Sequence, residues 1–174
     1  MNVNATFIMR FKAFMLDYLL IFAYLSVLAV FNIFVFPSIQ SLFINSLVVA
    51  QFTGFLMVTL PVSLYFIISD SVLGKQSVGK RYMGIKVVNK HNQNLSIPQS
   101  VFRTIVKFLP WELSHYLVYR LIYLGDAEVP ISYYAIGGII YGLMLAYILT
   151  ALFSKRKKSL YDMVVETQVI KVGS

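Results

Sequence analysis

The sequence predicts an all-α membrane protein: a four-helix transmembrane bundle with a small cytoplasmic β-hairpin or three-stranded sheet. Three observations carry this expectation. In a chain of 174 residues, AVILMFWYC residues make up 59%, charged residues 13%, and the mean hydropathy is +0.75. That leaves too little polar surface to clothe a water-soluble fold. Long charge-poor runs recur between Pro, Gly and polar residues. Lys and Arg gather in some connecting segments and are missing from others, the asymmetry expected of cytoplasmic and outer loops. The length suits one domain, with little room for a separate catalytic or binding module.

The first span is predicted over 13–36, a run of 24 residues whose only charge is Asp17. At 1.5 Å per residue it reaches about 36 Å, enough for a hydrocarbon core of roughly 30 Å. The run is longer than a signal-peptide core and lacks a clear small-x-small cleavage site, so it is expected to be retained. Pro37-Ser38 breaks it, and a second charge-free run over 42–68 follows, with Pro61 expected to kink it. A third clear span covers 131–153. Its Gly138-x-x-x-Gly142-x-x-x-Ala146 stripe offers a surface that another helix could approach closely.

The segment 101–124 has the length of a span but carries Arg103, Lys107, Glu112, His115 and Arg120, with Pro110 in its middle. Parity favours counting it. Basic residues cluster at Arg10 and Lys12, between Lys75 and Lys90, and at Lys155–Lys158, whereas 37–41 and 125–130 contain none. A fourth crossing puts every basic segment, including the loop 69–100, the tail 154–174 and both termini, in the cytoplasm. The alternative is a re-entrant or interfacial amphipathic helix with the tail outside. In the cytoplasmic parts, Gly84–Asn89 alternates and is β-branched, Lys90–Asn94 is turn-rich, and Leu95-Ser96-Ile97 would complete a hairpin. Thr167–Val172 would add a third strand. No long internal repeat is visible.

Gly74-Lys75-Gln76-Ser77-Val78-Gly79-Lys80 has the spacing of a phosphate-binding loop. Position 81 is Arg where a Mg²⁺-binding Ser/Thr should stand, and no βαβ context surrounds it, so the match reads as chance. Lys75, Lys80 and Arg81 instead suit contact with lipid phosphates at the cytoplasmic surface. Arg10 and Asp17 are seven residues apart and share one helix face. An ionised Asp17 inside a span needs a partner or water. Beyond the last span, Ser159-Leu160-Tyr161-Asp162 returns another carboxylate to the same side.

These motifs carry a resemblance. The opening Arg10–Asp17, the middle-loop stretch Gly79–Val88 and the closing Ser159–Asp162 resemble, in order, the RDD family of small membrane proteins, named for an Arg and an Asp in the first span and an Asp near the last. The resemblance extends over most of the chain, from Arg10 to about Lys171. It implies a multi-pass membrane protein and, from some members, cation/proton exchange. Pro110–His115 lies outside the naming pattern.

Arg10, Asp17 and Asp162 are expected to form a charge cluster, either fastening the first helix to the tail or binding a cation. An Asp paired tightly with Arg10 would be the clasp, and the other Asp the better candidate for binding a cation. Glu112 sits near the middle of its predicted span, where a carboxylate marks function by default, with His115 one turn away as its partner. Arg103, Lys107 and Arg120 are expected to snorkel towards the interfaces. The functional reading is a small cation/proton exchanger or other transporter of the cell membrane, using Asp17 and Glu112 on a proton or monovalent cation and forming a homo-oligomer. The alternative is a non-transporting adaptor that binds lipid headgroups or another membrane protein. No Cys is present and His91 and His115 are the only histidines, so neither a metal centre nor a cofactor is expected. An enzyme is not expected, and the basic excess points to the bilayer rather than to nucleic acid.

Overall fold

The structure, a computed structural model, describes residues 3–44 and 46–172. Helix α1 (Phe7–Val30) is capped by Thr6, whose hydroxyl accepts from the Met9 N–H, and continues through a wide π-helical turn, Phe31–Val35. The helix therefore starts two turns before the predicted 13–36, taking in Arg10 and Lys12. The chain turns through a 3₁₀ segment (Pro37–Gln40) and α2 (Ser41–Ile44), so the second span does not begin at 42. It begins after the extended Ser46, as α3 (Leu47–Gly54), a π-helical turn (Phe55–Thr59) and α4 (Leu60–Asp70), which form one helical rod. Then follow α5 (Val78–Tyr82), β1 (Ile85–Asn89), α6 (Ile97–Leu124), α7 (Ile131–Phe153), α8 (Leu160–Val164) and β2 (Thr167–Lys171).

Among the described residues, three helices are long and apolar enough to cross a membrane: Phe7–Val35, Leu47–Asp70 and Ile131–Phe153. Helix α6 has the length, 28 residues, but its charged side chains keep it out of that group. Polar pairs set the register of its packing. Along the α3–α4 rod, Arg103 meets Asp70, Ser100 donates to the Ile67 carbonyl, Thr59 donates to Glu112, and Arg120 donates to Gln51. From Arg103–Asp70 through Glu112–Thr59 to Arg120–Gln51 the residue number falls on one helix as it rises on the other, so they run antiparallel. Helix α1 runs antiparallel to the same rod, through Asp17 with Tyr65 and Tyr24 with Met57. Helix α7 runs antiparallel to α6, through Tyr147 with Val106 and Gly137 beside Leu117. The starts of α1 and α6 and the ends of α4 and α7 thus share one end of the bundle.

Both interior prolines leave a carbonyl four residues back without its usual donor. Each vacancy is filled from a neighbouring helix. The Tyr24 hydroxyl donates to Met57 O (2.6 Å) below Pro61, and the Tyr147 hydroxyl donates to Val106 O (2.5 Å) below Pro110. Pro61 thus follows a π-turn rather than a simple kink, and α6 stays continuous through Pro110.

The sheet differs from the expected hairpin. β1 pairs antiparallel with β2, Ile85 opposite Lys171 through Asn89 opposite Thr167. Leu95 instead makes an isolated parallel bridge to Ser71, and Asn4 bridges Ile170. The turn after β1 is stapled by the Asn89 side chain, which accepts from the His91 and Gln93 N–H groups. It delivers the chain to Ser96, the cap of α6, rather than back along β1. The two strands tie the middle loop to the tail over a small core of Ala5, Ala13, Ile85, Val87, Leu95 and Val169.

The same order of elements occurs twice. Ser77 caps α5, a left-handed residue (Gly84, φ 61°) follows, and β1 begins; Ser159 caps α8, Glu166 (φ 53°) follows, and β2 begins. Each equivalent is 82 positions on, and the central pair of the ladder, Val87 opposite Val169, joins equivalent residues. Each copy is preceded by two antiparallel helical rods: α1 with α3–α4, and α6 with α7. The repeat is not apparent in the sequence because, beyond the capping Ser77 and Ser159 and a few strand residues such as Val87 and Val169, the side chains differ.

Candidate functional site

The charged residues separate into a cluster at the shared end of the bundle and a smaller group halfway along α6. At the end, Ser159-Leu160-Tyr161-Asp162 forms the first turn of α8, and Asp162 folds back to accept from the Ser159 N–H (3.4 Å). This capping geometry aims the carboxylate inwards. Arg10 pairs with one of its oxygens and also donates to the Lys157 carbonyl. Arg103 donates to the other oxygen from Nη2 (2.8 Å) and Nε (3.1 Å), and Thr167 adds a hydroxyl at 3.1 Å. Arg103 also reaches Asp70 (3.0 Å), which Lys80 contacts at 2.6 Å. Arg10, Asp162, Arg103, Asp70 and Lys80 therefore make one chain of alternating charge. Burial by itself would raise the Asp162 carboxyl, but the two guanidiniums outweigh it and hold the group below the ordinary carboxylate range.

Asp17 is not part of that chain. It is 1% exposed and accepts from Tyr65 Oη (2.8 Å), Ser77 Oγ (2.6 Å) and the Gly79 N–H (2.8 Å). The phosphate-loop spacing thus has a structural meaning: its second glycine offers a backbone N–H to an anion, and the anion is a carboxylate of the same chain. A Cβ on Gly79 would collide with the Ala13 carbonyl, so only glycine lets α5 approach α1 this closely. The expected trio is divided accordingly, with Arg10 and Asp162 together and Asp17 fastened elsewhere.

Two other expectations change. Arg103 does not snorkel; it is 3% exposed because two carboxylates neutralise it. Lys80 is turned inwards to Asp70 and away from lipid phosphate, while Lys75 and Arg81 are exposed. Arg120 lies against Tyr116, 3.4 Å from the ring centroid, and donates to Gln51. The Gly138/Gly142 face is open: a Cβ on either would meet nothing within 4 Å, and Gly137 is the glycine turned towards α6. Asp70 escaped the sequence reading because it stands at the edge of an apolar run, where it resembles an ordinary interfacial residue. Only the Lys80 and Arg103 contacts reveal its role.

Midway along α6, Glu112 accepts from the Thr59 hydroxyl and lies 3.6 Å from His115 Nδ1. Trp111 meets the His115 ring edge-on at 4.6 Å. The structure therefore brings the predicted Glu112–His115 pair together and adds Thr59 from the adjacent rod. Their side chains are about one-third exposed, 34% and 33%, unlike the sealed cluster. Among the described residues, no three His, Asp or Glu side chains converge to hold a metal ion.

The RDD family model matches residues 4–166, a range that includes Arg10, Asp17 and Asp162. The chain belongs to the RDD family. No curated protein and no solved structure matches it. This RDD protein is thus a membrane protein with apolar helices, in which Arg10 and Asp162 form a direct ion pair while Asp17 locks the middle loop.

Proposed function

We propose that this RDD protein is a four-span cation/proton exchanger of the cell membrane, with both termini cytoplasmic, in which Glu112 carries the exchanged proton or monovalent cation. The observation that supports it is the placement of Glu112. It is a carboxylate halfway along a bundle helix, beside His115 and a hydroxyl, and among the described residues no Arg or Lys is paired to it. A group bound only to Thr59 and His115 is free to exchange its proton; one held by two cationic side chains is not. By that criterion Asp162 and Asp70 are structural, and Asp17, filled by three donors, serves to fasten the loop rather than to bind an ion. The four-span count draws support from the register of α6, which starts at the end where α4 stops and reaches the end where α7 begins. It also draws support from the doubled arrangement, since parallel two-fold repeats recur in transporters. The one-third exposure of Glu112 on a single chain favours a homo-oligomer, in which a second copy would shield the path. Exposed Lys75 and Arg81, with the 155–158 cluster, would hold the cytoplasmic face against anionic lipid.

The test is flux. Purified protein in proteoliposomes with an imposed Na⁺ or K⁺ gradient should generate a pH change, and Glu112→Gln should abolish it while leaving the melting temperature within a few degrees of wild type. Absence of any cation-driven pH change with folded wild-type protein would leave the non-transporting adaptor as the reading.

A further inference from the structure

The two halves of the bundle are not sealed alike. If the halves were equivalent, the α4–α6 seam would have its counterpart in the α1–α7 seam. The first is closed by the ladder of polar pairs from Asp70–Arg103 to Gln51–Arg120. The second is an open groove of about 420 Å³, lined mainly by Phe7, Phe11, Phe14, Ile148 and Ala151, with Arg10 also on its wall. Beside it lies a second hollow of about 270 Å³ against α6, bounded by Tyr18, Phe108, Trp111 and Met144, with Lys107 its one charged residue. Phe14 and Tyr161 border both hollows, and with Lys107 they also border the cavity of about 60 Å³ inside the charge cluster. The apolar seam thus leads from the lipid side to basic groups.

Among the described residues, Lys107 is the cation of this cluster with no carboxylate in ion-pair contact, Asp70 and Asp17 acting on it only at longer range. Asp70 is taken by Lys80 and Arg103, Asp162 by Arg103 and Arg10, and Asp17 by its three neutral donors. The Lys107 ammonium lies 3.5 Å from the Phe66 ring centroid, and among the described residues it has no hydrogen-bond acceptor and no ion-pair partner. A cation–π contact offsets only part of the cost of desolvating an ammonium. An anion is the complement the site lacks. Arg10 spends Nη1 and Nη2 on Lys157 and Asp162, leaving its Nε–H unengaged by either.

We propose that the α1–α7 seam is the binding site of one anionic phospholipid, whose phosphate is held by Lys107 with Arg10 and whose acyl chain lies along Phe11, Phe14 and Ile148. Lys107 stands one helical turn beyond Arg103, just inside the charged end of the bundle, so the phosphate sits at headgroup depth while the chain follows the apolar groove inwards. The apolar walls give the site area, and the basic pair gives it selectivity for an anionic head over a zwitterionic one. Glu112 borders neither hollow; its carboxylate is turned to Thr59 of the α3–α4 rod.

Native mass spectrometry of the full chain in detergent, offered phosphatidylglycerol or phosphatidylcholine of the same acyl composition, tests it. Wild type should keep one phosphatidylglycerol per chain, with at least about a tenfold preference over phosphatidylcholine. Lys107→Met should lower retention to the phosphatidylcholine level, Lys107→Arg should preserve it, and Ile148→Trp should expel the lipid by filling the groove without changing any charge. Glu112→Gln should retain lipid like wild type whether or not flux survives, which separates this site from the exchange reading. The proposal is overturned if wild type keeps both lipids equally, or if Lys107→Met keeps phosphatidylglycerol as well as wild type does. A lipid-free dimer closed over the seam would also overturn it. Should Lys107→Met not fold, Ile148→Trp decides: full retention with the groove filled rejects the site.

Discussion

Asp17 and Asp162 are both buried carboxylates close to Arg10 in sequence or in space, yet their chemistry differs because their donors differ. Asp162 answers two guanidiniums, so the folded protein binds its proton less readily than the unfolded chain. Its contribution to stability is therefore complete above the unfolded value near pH 4 and is lost as pH falls towards the lower folded value. Melting temperatures in detergent should drop between about pH 5 and pH 3 in the wild type, and Asp162→Asn, already destabilised at neutral pH, should show a shallower fall. Arg103 bridges both carboxylates. Arg103→Met should cost about 3–5 kcal/mol in denaturant titration, since it leaves two buried charges short of a partner. Gly79→Ala should cost about 1–3 kcal/mol by forcing α5 away from the Ala13 carbonyl, and the displaced N–H should weaken its bond to Asp17.

At the scale of the element, Pro110 and Pro61 would ordinarily weaken long helices in lipid, where an unpaired carbonyl finds no water. A tyrosine from the adjacent helix supplies each missing donor, so proline and tyrosine act as a matched pair across a helix interface. The coupling is measurable. Tyr147→Phe alone should destabilise by about 1–3 kcal/mol, because Val106 O is left bare. In a Pro110→Ala background the restored N–H should satisfy that carbonyl, and the same tyrosine change should cost markedly less. A double-mutant cycle of thermal stability reads the difference directly. The antiparallel pairing of β1 with β2 acts similarly at the charged end of the bundle, holding α5 and α8, and hence the Asp17 and Asp162 contacts, in place.

At the scale of the molecule, the cluster joins the beginning of α1, the end of α4, the beginning of α6 and the tail after α7. It is the knot that holds four rods and two loops together at one end. If α6 crosses the bilayer with the others, tags at both ends of the chain should be protected from an external protease in intact cells. A reporter in 125–130 should be accessible. An exposed C-terminal tag with a protected N-terminal one would instead place α6 on the membrane surface.

Composition and the length of apolar runs were enough to determine a helical membrane protein, because transfer into hydrocarbon depends on side-chain identity summed along a span, not on partners. The Glu112–His115 pair was equally legible, since i, i+3 spacing on a helix is local, and so was the order of the Arg10, Asp17 and Asp162 motifs. Helix ends, the partner of β1 and the fate of each charge were not. Arg103 and Lys80 read as surface cations because nothing local announces the carboxylates that come to them from 33 and 10 positions away at closest approach. The strand that completes the sheet lies beyond two long helices, out of reach of any hairpin rule. Only tertiary packing decides which acid meets which base, and with it which carboxylates become fasteners and which is left to a hydroxyl and a histidine.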